Sequence, residues 1–137
     1  MRIESTMNAV ELKQRTRQFA LRIIRLSEAL PRKMTADVLG RQLVRSATSV
    51  AANYRSACRA RSRADFAAKM GIVEEEAGES AFWLELIADA GLLPATRLEE
   101  LRHEAGALTA IAVSSVRTAR LRAANPPSAT RHPQPSP

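Results

Sequence analysis

Apolar residues recur at intervals of three and four along most of the chain, and this spacing predicts four amphipathic helices. Four helices joined by short connections predict an all-α, up-down-up-down four-helix bundle over residues 8–124. The predicted core stripes, helix by helix, are Leu12, Phe19, Ile23, Leu26 and Leu30; Leu39, Leu43, Ala47, Val50, Tyr54 and Ala57; Phe66, Met70, Val73, Ala77, Leu84 and Ile87; and Leu98, Leu101, Ala105, Leu108, Ala112 and Ser115. We expect residues 1–7 to be a loose lead and the proline-rich residues 125–137 to be a disordered tail.

Helix ends are marked by residues that favour caps and turns. Pro31 disfavours helical geometry in the residue before it and so closes the first helix. Asp37 is the expected cap of the second helix, and Ser62 with Asp65 three residues on forms a capping box for the third. Gly91 is expected to end the third helix because glycine favours the position just beyond a helix. The fourth helix is predicted over about residues 95–123.

The outer face of the second helix and the turn after it are the most basic part of the chain. No acidic residue lies between Asp37 and Asp65. An arginine ridge of this kind can follow a phosphate backbone through bidentate pairing. It can equally pair with the acidic third helix, within one bundle or between subunits. The ridge gives the candidate nucleic-acid-binding residues, which are Arg41, Arg45, Arg55, Arg59, Arg61 and Arg63.

The third helix carries a second line of residues on the side away from its core stripe. Large apolar side chains that face away from a bundle core are typical of a partner surface or a second buried contact. We interpret the line as a subunit interface, made of Glu75, Glu79, Phe82, Leu86 and Leu93. Gly71 and Gly78 share one face of this helix, which indicates either close approach of a neighbouring backbone or glycines tolerated in a well-packed bundle.

Composition agrees with a helical domain and adds a strong positive charge. The formal net charge is +7 and the isoelectric point is near 10.9, which permits binding to nucleic acid, an anionic membrane or an acidic protein. Cys58 is the only cysteine, so no intrachain disulfide can form. The start of the chain lacks the apolar run of a signal peptide, and no apolar run is long enough to span a membrane, so we expect a cytoplasmic protein.

No set of residues predicts catalysis or metal binding. The two histidines, His103 and His132, have no cysteine or serine partner at a spacing typical of a nucleophile and base. The acidic residues 74–79 lack the histidine that follows glutamate in carboxylate metal bundles. We therefore expect no enzymatic activity, no metal and no cofactor.

Several short motifs resemble one known family, the four-helix-bundle proteins encoded by intervening sequences in 23S ribosomal RNA genes. The resemblance rests on the Gln-Leu-x-Arg-Ser-Ala-x-Ser-Val run of the second helix with an asparagine after it, and on the Arg-x-Ser-x-x-Asp-Phe start of the third. These residues are Gln42, Leu43, Arg45, Ser46, Ala47, Ser49, Val50, Asn53, Ser62, Asp65 and Phe66, with Arg61 or a neighbour as the arginine. The resemblance implies a homo-oligomeric bundle, typically a pentameric ring. Distantly similar accessory proteins of retroelements work with a reverse transcriptase and RNA.

The sequence thus predicts a homo-oligomeric bundle whose basic surface binds RNA or DNA backbone or a nucleic-acid-processing protein, and the resemblance implies that the oligomer is a pentamer. The alternative is a protein-interaction scaffold whose arginines serve subunit contacts only.

Overall fold

The computed structural model describes residues 7–124, and this part of the chain holds four α-helices and no strand. The helices are α1 (Ala9–Ser27), α2 (Met34–Ala57), α3 (Arg63–Asp89) and α4 (Ala95–Ala124). The predicted all-α four-helix architecture is confirmed. Residues 1–6 of the predicted lead and the predicted tail, 125–137, lie outside the described residues.

Neighbouring helices run antiparallel, as their polar contacts show. Arg15 of α1 pairs with Glu104 of α4, and Arg22 of α1 pairs with Glu100 of α4. Residue numbers thus increase along one helix as they decrease along the other, so the two helices are antiparallel. Each helix packs against the next one in the chain. The bundle is closed by contacts between α1 and α4, which are less extensive than those between the other neighbouring helices. The bidentate Arg15–Glu104 contact, at 2.7 and 2.8 Å, bridges this looser seam.

One continuous core runs along the bundle and is built mainly from leucine, alanine and other aliphatic side chains. The largest fully buried apolar side chains come from all four helices and are Phe19, Ile23, Leu43, Val50, Met70, Leu84, Ile87 and Leu98. Three polar residues of the described chain are buried, and the hydroxyls of Thr16, Ser46 and Ser80 each lie within hydrogen-bonding distance of a carbonyl of their own helix. The buried positions recur along each helix with the periodicity seen in the sequence.

The predicted helix ends at Ser62 and Gly91 are confirmed and the predicted cap at Asp37 is not, while the cap of α1 at Asn8 is not among the predictions. Asn8 forms a capping box with Glu11, Ser62 accepts from the amide of Asp65, and Gly91 adopts a positive φ of 72°. After α3 the amides of residues 91 and 92 reach back to the carbonyls of residues 88 and 87, the paired bonds of a Schellman motif. The predicted Asp37 cap is wrong, because α2 begins at Met34 and Asp37 lies in its first turn.

Some predicted core and lead positions also differ. Leu30, Leu39, Phe66 and Ser115 are half-buried rather than buried, and Met7, predicted as part of the loose lead, packs against the core. An added Cβ on Gly71 or Gly78 meets nothing within 4 Å in the described chain, so these glycines do not mark a close approach within the subunit. Gly40 does: a Cβ there would lie 2.9 Å from Cδ1 of Leu30.

Candidate nucleic-acid interface

Arg45, in the middle of the arginine ridge, lies in the seam between α2 and α3. Its guanidinium pairs with Glu76 at 3.3 Å and with Glu79, and its Nε donates to Gln42 at 3.4 Å. The hydrogen bond to Glu76 raises the pKa of Arg45 above its ordinary value. Of the two interpretations of the ridge, pairing with the acidic third helix within one bundle is the one observed for this residue.

A buried polar contact lies directly beneath that ion pair. The hydroxyls of Ser46 and Ser80 are 2.9 Å apart, and neither residue is exposed to solvent. A polar pair in an apolar core favours the alignment in which both partners are satisfied. Arg45 and Ser46, which carry part of the family resemblance, therefore contact α3 directly, and Gln42 contacts Arg45 on the same helix.

Arg41 has a partner on its own helix. Its guanidinium lies 3.1 Å from Asp37, one turn earlier, and both side chains are well exposed. Such i,i+4 pairs contribute only a few tenths of a kcal/mol, roughly 0.3–0.5, because water competes for both charges. Arg41 is thus held weakly and remains open to solvent.

The remaining four ridge arginines, Arg55, Arg59, Arg61 and Arg63, are exposed, and none has a carboxylate within 4.0 Å in residues 7–124. The nearest acid in sequence is Asp65, which is already engaged. Its carboxylate accepts from Lys69 at 2.8 Å and from the backbone amide of Arg61 at 3.2 Å, and these bonds lower its pKa. No carboxylate of the described chain therefore pairs with these four guanidiniums at the protein surface.

The antiparallel arrangement brings other basic residues to the same end of the bundle. The start of α1, the end of α2, the start of α3 and the end of α4 all meet there. The half of the bundle at this end comprises residues 9–17, 46–76 and 110–124. It holds eleven basic and five acidic residues, whereas the half made of residues 18–45 and 77–109 holds eight of each. We call the first half the basic end.

Two surface recesses of the basic end group these charges more closely. A groove between α1 and α2 is lined by Lys13, Arg17 and Arg55. A hollow between α3 and α4 is lined by Arg63 and Arg122 with the hydroxyls of Ser114, Ser115 and Thr118. The sequence shows that the fourth helix carries arginines near its end, but their position beside Arg63 follows only from the packing of the helices.

The predicted interface line of α3 is divided by the structure. Phe82 is 49% exposed and packs edge-on against Trp83, Leu86 is half-buried, and Glu75 is exposed. Glu79 belongs to the seam with Arg45. Leu93 is only 8% exposed and packs into the core, so its predicted place on a subunit interface is wrong: the turn after Gly91 redirects the chain and points this side chain inward.

Three exposed apolar residues extend this outer surface beyond the prediction. Ile72 lies on the same side of α3 as Phe82, and Met34 and Val38 are exposed at the start of α2. Their signal in the sequence is apolar character off the core stripe, which is the argument that identified Phe82. We call Met34, Val38, Ile72, Phe82 and Leu86 the apolar outer face.

Residues 7–124 contain no group of three histidine, cysteine, aspartate or glutamate side chains arranged to hold a metal ion. None of the four described helices is long and apolar enough to cross a membrane.

Comparison with known proteins identifies relatives of the whole bundle. A protein of unknown function from Bacteroides thetaiotaomicron, described as belonging to the S23 ribosomal protein family and known from a crystal structure at 1.70 Å resolution, is 32% identical. The alignment covers 81% of this chain and 99% of that one, with a TM-score of 0.74. No functionally curated protein matches. The family model for the 23S rRNA-intervening sequence protein matches residues 8–114, from the cap of α1 to the middle of α4, and the chain belongs to that family.

Proposed function

We propose that the protein is a non-enzymatic, homo-oligomeric helical bundle that binds the backbone of nucleic acid through its basic end. The observation that carries the proposal is the state of Arg55, Arg59, Arg61 and Arg63. All four face solvent, and none has a carboxylate partner within 4.0 Å in the described chain. A guanidinium without an internal partner is free to release counterions from a phosphate chain, which is the main source of nonspecific affinity.

The same arrangement determines the kind of binding expected. Tyr54, the aromatic residue of α2, is 6% exposed and cannot serve as a platform for bases. Contacts from the ridge therefore go to phosphates, and they depend strongly on salt and weakly on sequence.

The apolar outer face supports the oligomeric part of the proposal. Phe82 and Ile72 lie on one side of α3, and Met34 and Val38 are exposed at the end of α2 that lies beside the end of α3. Covering these side chains with a second copy removes apolar surface from water. The family resemblance suggests five subunits. Joining several basic ends in one particle would raise the apparent affinity for a long nucleic acid by avidity.

A salt titration with matched variants tests nucleic-acid binding. The triple variant Arg55→Glu, Arg59→Glu, Arg63→Glu is compared with Arg25→Glu, Arg32→Glu, Arg97→Glu, which makes the same charge change at the opposite end. We expect the first variant to lose about 100-fold or more in affinity for a labelled 20-nucleotide RNA at 50 mM salt, and the second to lose much less. Equal losses would attribute binding to net charge alone, and no binding by the wild-type protein at low salt would refute the proposal.

Light scattering tests self-association. Ile72→Glu with Phe82→Glu should reduce the particle mass, whereas Val10→Glu, at an exposed apolar residue of α1, should not. An unchanged mass in the first variant would exclude the apolar outer face as the interface.

The second candidate is a protein-interaction scaffold, favoured by the exposure of this same apolar face. It predicts that charge reversal at Arg55, Arg59 and Arg63 dissociates the particle. The nucleic-acid proposal predicts that the particle mass stays the same and only binding is lost.

A further inference from the structure

A hollow of about 520 Å³ opens at the basic end between the first turn of α3 and the last turns of α4. Its lining combines three kinds of group. Arg63 and Arg122 supply positive charge, Phe66 supplies an aromatic ring, and three hydroxyl residues of α4 complete it, namely Ser114, Ser115 and Thr118. Other recesses on the surface have similar volumes, so the lining and not the size distinguishes this hollow.

The hollow lies beyond the level at which α1 begins. Arg15 of α1 lies level with Glu104 of α4, and α1 begins six residues before Arg15. At about 1.5 Å per residue in both helices, Ala9 lies near the level of residue 110. Ser114, Ser115 and Thr118 lie beyond that level, where α1 offers them no neighbour. The core stripe of α4 becomes polar at the same place, with Ser115 at a stripe position.

The polar groups of the hollow are without partners in the described chain. Neither Arg63 nor Arg122 has a carboxylate within 4.0 Å in residues 7–124. Helical hydroxyls elsewhere, such as those of Thr48 and Thr109, donate to the carbonyl four residues earlier at 2.8 Å. The three hydroxyls of the hollow make no such bond to any described residue. They are available as donors to an oxyanion, next to two guanidiniums.

Phe66 adds an aromatic ring, which a site for a phosphate alone does not require. Its ring is half-buried and faces the hollow, beside the arginines. Stacking on an aromatic ring is how proteins hold unpaired bases without strong sequence preference. A duplex keeps its bases stacked inside, so this ring favours a single strand.

We propose that the hollow is a nucleotide subsite for an unpaired strand: Arg63, Arg122 and the three hydroxyls hold one phosphate, and the adjoining base packs on Phe66. The inference rests on the proposed function and adds to it a preference for single-stranded over duplex nucleic acid. The rest of the basic end binds the neighbouring phosphates.

Binding measurements with paired variants test the subsite. Phe66→Leu is compared with Phe66→Tyr, which keeps an aromatic ring at the same position. Arg122→Gln is compared with Arg120→Gln, which lines a different recess with Glu74. We expect Phe66→Leu to weaken binding of an eight-nucleotide single-stranded RNA about 5- to 100-fold, and to change duplex binding by less than about twofold. Arg122→Gln should weaken single-strand binding more than Arg120→Gln does.

Photo-crosslinking of the wild-type protein gives a readout that does not depend on the folding of a variant. A single strand carrying 5-iodouridine should crosslink to the tryptic peptide of residues 64–69, in which Phe66 is the only aromatic residue. An excess of duplex should compete poorly.

The outcomes separate the subsite from the wider proposal. If the wild-type protein binds no nucleic acid at low salt, both fail. If it binds in a salt-dependent way, but residues 64–69 do not crosslink and the paired variants match their controls, the subsite alone is refuted. If Phe66→Leu or Arg122→Gln instead lowers the particle mass in light scattering, the hollow is covered by a second copy of the chain, which also refutes the subsite.

Discussion

The arginine ridge has two parts that look alike in sequence and differ in the folded protein. Arg45 pairs with Glu76 and Glu79 in the α2–α3 seam, whereas Arg55, in the last turn of α2, and Arg59, in the turn that follows, have no acidic partner in the described chain. The antiparallel register explains the difference. The middle of α2 lies beside the acidic middle of α3, but the end of α2 lies beside the start of α3. The one acid there, Asp65, is held by Lys69 and a backbone amide.

This difference shows that the role of a surface arginine depends on what the neighbouring helix presents at its level. The paired part of the ridge contributes to the subunit, and the unpaired part remains available for a ligand. Four predictions test that division, beginning with the largest expected effect.

Charge reversal should separate the two parts most clearly. Arg45→Glu places a third carboxylate beside Glu79 and Glu76, whose side chain is only 17% exposed. We expect the free energy of unfolding to fall by about 2 kcal/mol, less than for a fully buried pair because Arg45 itself is half-exposed. Arg55→Glu should change it by less than about 0.5 kcal/mol. Urea unfolding measures both, and equal losses would contradict the division.

Tyr54 reports on the inner side of the helix end that carries the unpaired arginines. Burial raises the pKa of this phenol above its ordinary value, and a hydrogen bond with Cys58 adds to the effect. The phenol of Tyr54 therefore ionises at a lower pH in the unfolded chain than in the folded protein. As the pH rises above about 10, the free energy of unfolding falls by about 1.4 kcal/mol per pH unit until the phenol of the folded protein ionises as well. Unfolding curves between pH 9 and 11 should show this loss, and Tyr54→Phe should reduce it. The single tyrosine allows a direct check by tyrosinate absorbance.

The α1–α4 seam offers a second comparison of a sheltered and an exposed arginine. Arg15 makes a bidentate contact with Glu104, and both side chains are partly buried, whereas Arg22 reaches Glu100, which is largely exposed. We expect Arg15→Gln to lower the free energy of unfolding by about 1 kcal/mol and Arg22→Gln by a few tenths, roughly 0.3 kcal/mol. Thermal unfolding in low and high salt measures both losses. Equal losses of stability in the two variants would contradict this expectation.

The smallest effect expected is that of one exposed arginine on binding. Arg59→Gln should weaken RNA binding about three- to fivefold at 100 mM salt and reduce the salt slope by about 0.7, the loss of one phosphate contact. Arg45→Gln should leave the affinity within about twofold, because its guanidinium is engaged with Glu76 and Glu79. A larger loss for Arg45→Gln would show that the seam arginine also contacts the ligand.

Local chemistry in the sequence predicts much of the fold. The spacing of Leu43, Val50 and Ala57 predicts a buried face, and these residues are buried. Ser62 and Gly91 predict the two ends of the third helix because capping and positive φ depend on adjacent residues. Asp37 fails as a predictor, since an acidic residue is equally favourable inside the first turn, where it lies near the positive end of the helix dipole.

The sequence by itself determines that the chain forms four amphipathic helices, where they turn, and that one helix carries a row of arginines. Each of these depends on residues within a few positions of one another. Only the tertiary structure decides which arginines are neutralised, because Arg45 and Glu79 are 34 residues apart and meet through the antiparallel register. The same packing brings Arg63 of α3 and Arg122 of α4 to one hollow, although they are far apart in the sequence.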